Sequence, residues 1–156
     1  MDAIELSPQG LDTPVPAIEV AGALLRATVA LEEAAEEAAE RDINRALGMK
    51  HHPGDVELAK LTDRLLTRCD GLSGGVDAIP VAERDPRAAG VLETWERLKA
   101  DGPEDGPLGT WSYTRHLALT ARDMVRALRE HRAAQLAAVA PFVGRPDLPP
   151  LAPDAR

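Results

Sequence analysis

Apolar residues recur along this chain at intervals of three and four, in four separate stretches, which is the spacing of one face of an α-helix. In the first stretch Val20, Leu24, Ala27, Leu31, Ala34, Ala35 and Ala38 line one side of a helix. Pro16 suits the first turn of that helix, which is expected to run to about Gly48. The second half of its stripe is all alanine, narrow enough for another helix to come close. Asp42 falls on the same stripe, so a kink or restart is expected there. The segment KHHPGD then breaks the chain.

Leu58, Leu61, Leu65, Cys69 and Leu72 predict a second helix from Asp55 to about Leu72, loosened or ended by Gly71, Gly74 and Gly75. Asp85-Pro86 is an N-cap and first-turn pair opening a third helix to about Ala100, with Val91, Trp95 and Leu98 inward. The turn-rich loop DGPEDGPLG follows. A fourth helix is expected from about Thr110 to Ala140, stopped by Pro141, with Tyr113, Leu117, Ala121, Met124 and Leu128 as its stripe. Together these predict an all-α fold, a bundle of about four helices in a single domain over residues 16–140. Residues 1–15 read as a flexible leader, and the proline-rich residues 141–156 as an extended or disordered tail.

Composition narrows this picture. Among 156 residues only Trp95, Trp111, Tyr113 and Phe142 are aromatic, so the core must come mainly from Leu, Val and Ala. That favours closely packed helices over strands. One cysteine excludes an internal disulfide. No signal-peptide pattern and no run of about 20 apolar residues is visible, so a cytoplasmic protein with no membrane partner is expected. Arg supplies fifteen of the eighteen basic residues, which with the abundant Ala, Asp and Pro fits a GC-rich genome.

Charge is unevenly spread. The net of −8 argues against nucleic acid as a partner. Residues 1–49 carry 3 basic and 10 acidic side chains, whereas residues 110–156 carry 7 and 4. Within the helices this polarity sharpens: Glu32, Glu33, Glu36, Glu37 and Glu40 stripe the first, and Arg115, Arg122, Arg126 and Arg129 the last. At about 100° per residue each set gathers onto one face. Both faces are expected to lie opposite the apolar stripes, hence outward. On that reading they cannot neutralise each other within one molecule, and any pairing is between molecules.

Candidate chemistry adds little. Neighbouring His51 and His52 point in different directions, and His116 and His131 are about four turns apart, too far to share an ion. Cys69 lies among leucines and reads as a buried thiol. Glu32, Glu33 and Glu36 spell EExxE, the carboxylate cluster with which all-α nucleotide pyrophosphohydrolases hold Mg²⁺. The partner motif such enzymes need one helix later is represented only by Glu93 and Glu96, nearly sixty residues on. No catalytic, cofactor-binding or metal-binding residue is therefore assigned, and no cofactor is expected.

ELAKLTDRLLTRCDGL, followed by GPLGTWSYTRHLALTARDMVRALREH, resembles a family of small helical actinomycete proteins catalogued only as a domain of unknown function. The matching positions are Leu61, Thr62, Leu65, Gly106, Pro107, Leu108, Leu117, Ala118, Leu128 and His131, and the resemblance covers about half the chain. The intervening DPRAAGVLETWERLKA departs from the Ala/Cys-rich stretch of that family. The resemblance implies a helical fold and no activity. The expected function is a protein–protein interaction or regulatory module that is not an enzyme and associates with itself as a homodimer. The alternatives are a Mg²⁺-dependent nucleotide pyrophosphohydrolase and an acidic partner of a DNA-binding regulator.

Overall fold

A computed structural model describes residues 17–106 and 108–139; the leader and tail expected at either end lie outside them. Four helices occupy these residues: α1 (Ala17–Gly48), α2 (Asp55–Asp77), α3 (Pro86–Asp101) and α4 (Gly109–Val139). All four begin within a residue of the expected positions, and α1, α3 and α4 also end within a residue of them. The Asp85 carboxylate accepts the Arg87 N–H at 2.7 Å, capping α3 as its spacing from Pro86 predicts.

α2 and α4 form the central pair, and α1 and α3 pack against that pair without touching each other among the described residues. The core between them is Leu61, Leu65, Cys69, Leu72 and Val76 of α2 against Leu117, Ala118, Ala121, Met124 and Val125 of α4. Trp95 of α3 and Ile43 of α1 close it from either side. Two hydroxyl contacts inside join elements, whereas the buried Trp95 Nε1 and Arg84 Nε have no hydrogen-bond partner among the described residues. The Thr62 and Thr114 hydroxyls lie 2.6 Å apart between α2 and α4, and the Tyr113 hydroxyl donates to the Leu98 carbonyl of α3 at 3.0 Å.

α2 continues five residues past its expected end. Its glycines do not stop it, because Leu72 and Val76 remain buried on the α4 side and Gly75 lets α4 come close. A Cβ at Gly75 would sit 3.2 Å from Leu128 Cδ2. Burial on either side of the glycines offsets the about 1 kcal/mol that each costs in a helix interior. The end is then closed by Arg84, which donates to the Asp77 and Ile79 carbonyls at 2.6 and 3.0 Å.

α1 departs further from expectation, for it runs unbroken through Asp42. Its buried face is Glu36, Ala39, Asp42, Ile43 and Ala46. On a helical projection this face is turned by about 100° from the Val20–Leu31–Ala38 stripe. The predicted core stripe is instead largely solvent-facing: Leu24 is 64% and Leu31 72% exposed. From Ile18 to Ala35 no described side chain of α1 is buried. The helix therefore enters the bundle only at Glu36, and its first half projects beyond it.

Candidate functional site

Two carboxylates of α1 hold it in the groove between α2 and α4. Asp42, 9% exposed, accepts from Arg64 Nε at 2.9 Å and from Arg68 Nε at 3.5 Å, both on α2. Glu36, 4% exposed, accepts from Arg129 Nε at 3.1 Å and Arg132 Nη2 at 2.8 Å, both on α4. Arginines spaced i, i+4 or i, i+3 project from one side of a helix, so each pair closes on a single carboxylate. Arg129 also donates through Nη1 to Glu40 at 2.6 Å. That bond, and then the one to Glu36, makes its guanidinium more basic than an ordinary arginine. Arg115 Nη1 donates to the Leu47 carbonyl at 3.3 Å, near the C-terminal end of α1.

The two charged stripes are therefore joined in part within the molecule, through Arg129 with Glu36 and Glu40, which corrects the expectation that they cannot meet. Glu36, Glu40, Arg115 and Arg129 are spent on the α1–α4 seam. Arg126 is exposed and pairs with Asp123 on its own helix at 3.7 Å. Glu32, Glu33, Glu37 and Arg122 are exposed. The error was one of phase: the acidic arc borders the true buried face of α1 rather than opposing it. In the sequence Asp42 reads only as a kink and Arg64, Arg68 and Arg132 take no such role, although the i, i+4 and i, i+3 arginine pairs are readable as a sign of double ion pairing.

The carboxylates needed for pyrophosphohydrolysis are not brought together. Glu36 is buried against two arginines, while Glu93 and Glu96 sit on α3, across the α2–α4 pair from α1. Among the described residues no group of three His, Cys, Asp or Glu is placed to hold a metal ion. His52 sits edge-on to Trp111 with ring centroids 5.4 Å apart and accepts the Gly54 N–H through Nδ1 at 3.1 Å. Burial pushes the Cys69 thiol up to about 12, and its Sγ lies 3.5 Å from the Leu117 carbonyl. At neutral pH it stays a thiol, the unreactive form. An open trough between α3 and α4 interleaves Arg87, Arg97 and Arg126 with Asp101, Asp123 and Glu130, so it concentrates no single charge.

What remains distinctive is the projecting half of α1. Ile18, Val20, Leu24, Leu25, Val29 and Leu31 are all exposed on it, and Arg26 is the one charged residue between Val20 and Leu31. Because α1 and α4 run antiparallel, the end of α4 emerges on the same side, with Leu136 and Val139 exposed. No helix among the described residues is long and apolar enough to cross a membrane.

These features define a small all-helical bundle whose first helix is half embedded and half free. The chain belongs to the family of unknown function DUF6415, whose model matches residues 37–133, about 60% of its length. The matched span begins where α1 enters the bundle and ends just past Arg132, so the projecting half of α1 lies outside it. Leu61, Leu65, Leu117 and Ala118, which carried the resemblance, are buried core positions. Neither a curated protein nor a solved structure matches the chain.

Proposed function

We propose that this protein is a helical interaction module that associates with a second copy of itself through the projecting half of α1. The observation that carries the reading is the exposure of large apolar side chains on two sides of residues 18–31, Val20, Leu24 and Leu31 on one and Ile18, Leu25 and Val29 on the other. Large apolar side chains gathered on a helix face are normally covered. Isolated helices of this length are also marginal in water, so a stretch without tertiary packing gains most from a partner. Each Leu or Val withdrawn from water contributes up to about 1.5–3 kcal/mol.

The polarity between the ends of the chain is partly spent inside the molecule, where Arg129 pairs with Glu36 and Glu40, so it carries less of this reading than the apolar surface does. Association through an apolar surface persists when salt is raised. Light scattering on the full chain at micromolar concentration, in low and high salt, is expected to give twice the 16.7 kDa of one chain in both. Leu31→Glu is expected to give one chain's mass with unchanged helicity. A wild-type monomer in both salts removes the proposal.

A further inference from the structure

Independently of α1, we infer that the open trough between α3 and α4 is the docking groove for this chain's own residues 145–156, running down it antiparallel to α4. The trough starts beside Val139, from which the following residues set out, and descends along α4 to Gly109. Its floor is small or apolar, made by Gly90, Val91 and Thr94 of α3 and Leu119, Ala127 and Ala134 of α4. Leu119 is left 37% exposed there, and a Cβ added at Gly90 would meet nothing.

The walls carry charges in a definite order. The side chains of Arg87, Arg97, Asp101 and Glu130 are exposed and make no ion pair or hydrogen bond among the described residues, and Arg126 meets only Asp123, at 3.7 Å. The Tyr113 hydroxyl on the Leu98 carbonyl sets α3 level with α4, the two helices running antiparallel. Descending from Glu130, Arg126 and Arg87 then lie about 6–9 Å below it, Arg97 about 24 Å and Asp101 about 30 Å. Residues 145–156, RPDLPPLAPDAR, include four prolines, which hold a chain near polyproline II. At about 3.1 Å per residue, Asp147, Asp154 and Arg156 fall about 6, 28 and 34 Å beyond Arg145. A plus, minus, minus, plus series thus meets a minus, plus, plus, minus series at matching depths. Leu148 and Leu151, about 9 and 19 Å along, bracket Val91 and Leu119 at about 15–17 Å. Proline brings no N–H to satisfy, and its carbonyls accept from the trough's arginines.

Chain connection sets the direction. The charge series reads the same both ways, but Arg145 is only six residues from Val139. A reversal through Pro141 and Gly144 brings it level with Glu130, about 14 Å back along α4. Run the other way, Arg145 would lie beside Asp101, about 44 Å from Val139, twice the roughly 20 Å that six residues span.

The test uses the full chain with Ala152→Cys carrying a nitroxide spin label; Cys69 is fully buried and does not compete for it. In isotope-labelled protein the nitroxide should broaden the amide signals of Thr94, Arg97, His116 and Leu119. Those of α1, which packs on the α2–α4 pair without touching α3, should stay sharp. Signals of α3 and α4 as sharp as those of α1 overturn the docking. A mixture of isotope-labelled chain without nitroxide and nitroxide-bearing chain without isotopes identifies the donor. Broadening in that mixture assigns the docked segment to a second copy and overturns occupancy by the chain's own residues. Asp154→Arg should weaken docking about two- to fivefold, the size of one exposed ion pair, and adding Arg97→Asp should restore it. Broadening indifferent to both changes overturns the charge register. None of these readings depends on the mass in solution, so a monomer by light scattering removes the α1 proposal and leaves this one standing.

Discussion

Replacing Glu36 with Gln tests the placement of α1 most directly, because Gln keeps the shape and removes the charge. Glu36 accepts two charge-assisted hydrogen bonds at 3.1 and 2.8 Å and is nearly sealed from water. Removing one partner of a fully buried pair costs about 3–5 kcal/mol, chiefly by stranding the other charge. Here the stranded groups are not sealed: the side chains of Arg129 and Arg132 are 47% and 31% exposed, and Arg129 retains Glu40. Their guanidinium groups rehydrate, so the loss falls toward that of the hydrogen bonds themselves. One of those bonds survives in neutral form through the Gln carbonyl, which sets the expected cost at about 1–2 kcal/mol. For a chain of this size that lowers Tm by about 2–8 °C. Glu33→Gln and Glu37→Gln, both exposed, should stay within about 0.5 kcal/mol of wild type. Urea and thermal unfolding followed by circular dichroism at one fixed protein concentration measure all three, the fixed concentration being needed because self-association adds to apparent stability. If Glu36→Gln unfolds together with the two exposed controls, the buried face of α1 has been wrongly placed.

Asp42→Asn should likewise cost about 1–2 kcal/mol by releasing Arg64 and Arg68, and its effect should add to that of Glu36→Gln in the same unfolding assay, since the two clasps share no partner. Gly90→Ala, in the middle of α3 with open space where the Cβ would go, should raise stability by about 0.5–1 kcal/mol. Gly109→Ala should lower it sharply, because a Cβ there would overlap the Glu104 carbonyl oxygen; a neutral result would show that the loop entering α4 is set differently. Cys69 adds a pH dependence whose sign follows from its raised pKa. The unfolded chain gives up the thiol proton near 9 and the folded chain only near 12, so Cys69 favours the folded state less as pH rises through that window. Above pH 9 wild-type stability should fall about 1.4 kcal/mol per pH unit more steeply than that of Cys69→Ala, and parallel curves would show the thiol to be hydrated.

Much of the architecture was legible in the residues. The Asp85-Pro86 pair placed the start of α3, and the leucine spacing of α2 and the Leu117–Leu128 stripe of α4 marked their buried sides. In those helices one face is rich in large apolar side chains and the rest is polar, so burial has a single solution. The glycines of α2 misled because a helix end depends on what its neighbours bury, and Leu72 and Val76 had partners on α4.

α1 is where local pattern stopped being sufficient. Its sequence by itself determined that it is a helix, that it starts next to Pro16 and ends at Gly48, and that Ala and Glu dominate its second half. It did not determine which way the helix faces, because it offers an apolar seam and, about 100° away, an Ala/Ile face bordered by carboxylates. Only the tertiary structure chose between them. Arg129 and Arg132 on one helix and Arg64 and Arg68 on another converge on the groove, and they make Glu36 and Asp42 cheaper to bury than leucines would be to leave there beside unpaired guanidiniums. With the acidic border turned inward, the more hydrophobic seam is left facing solvent, free for another chain.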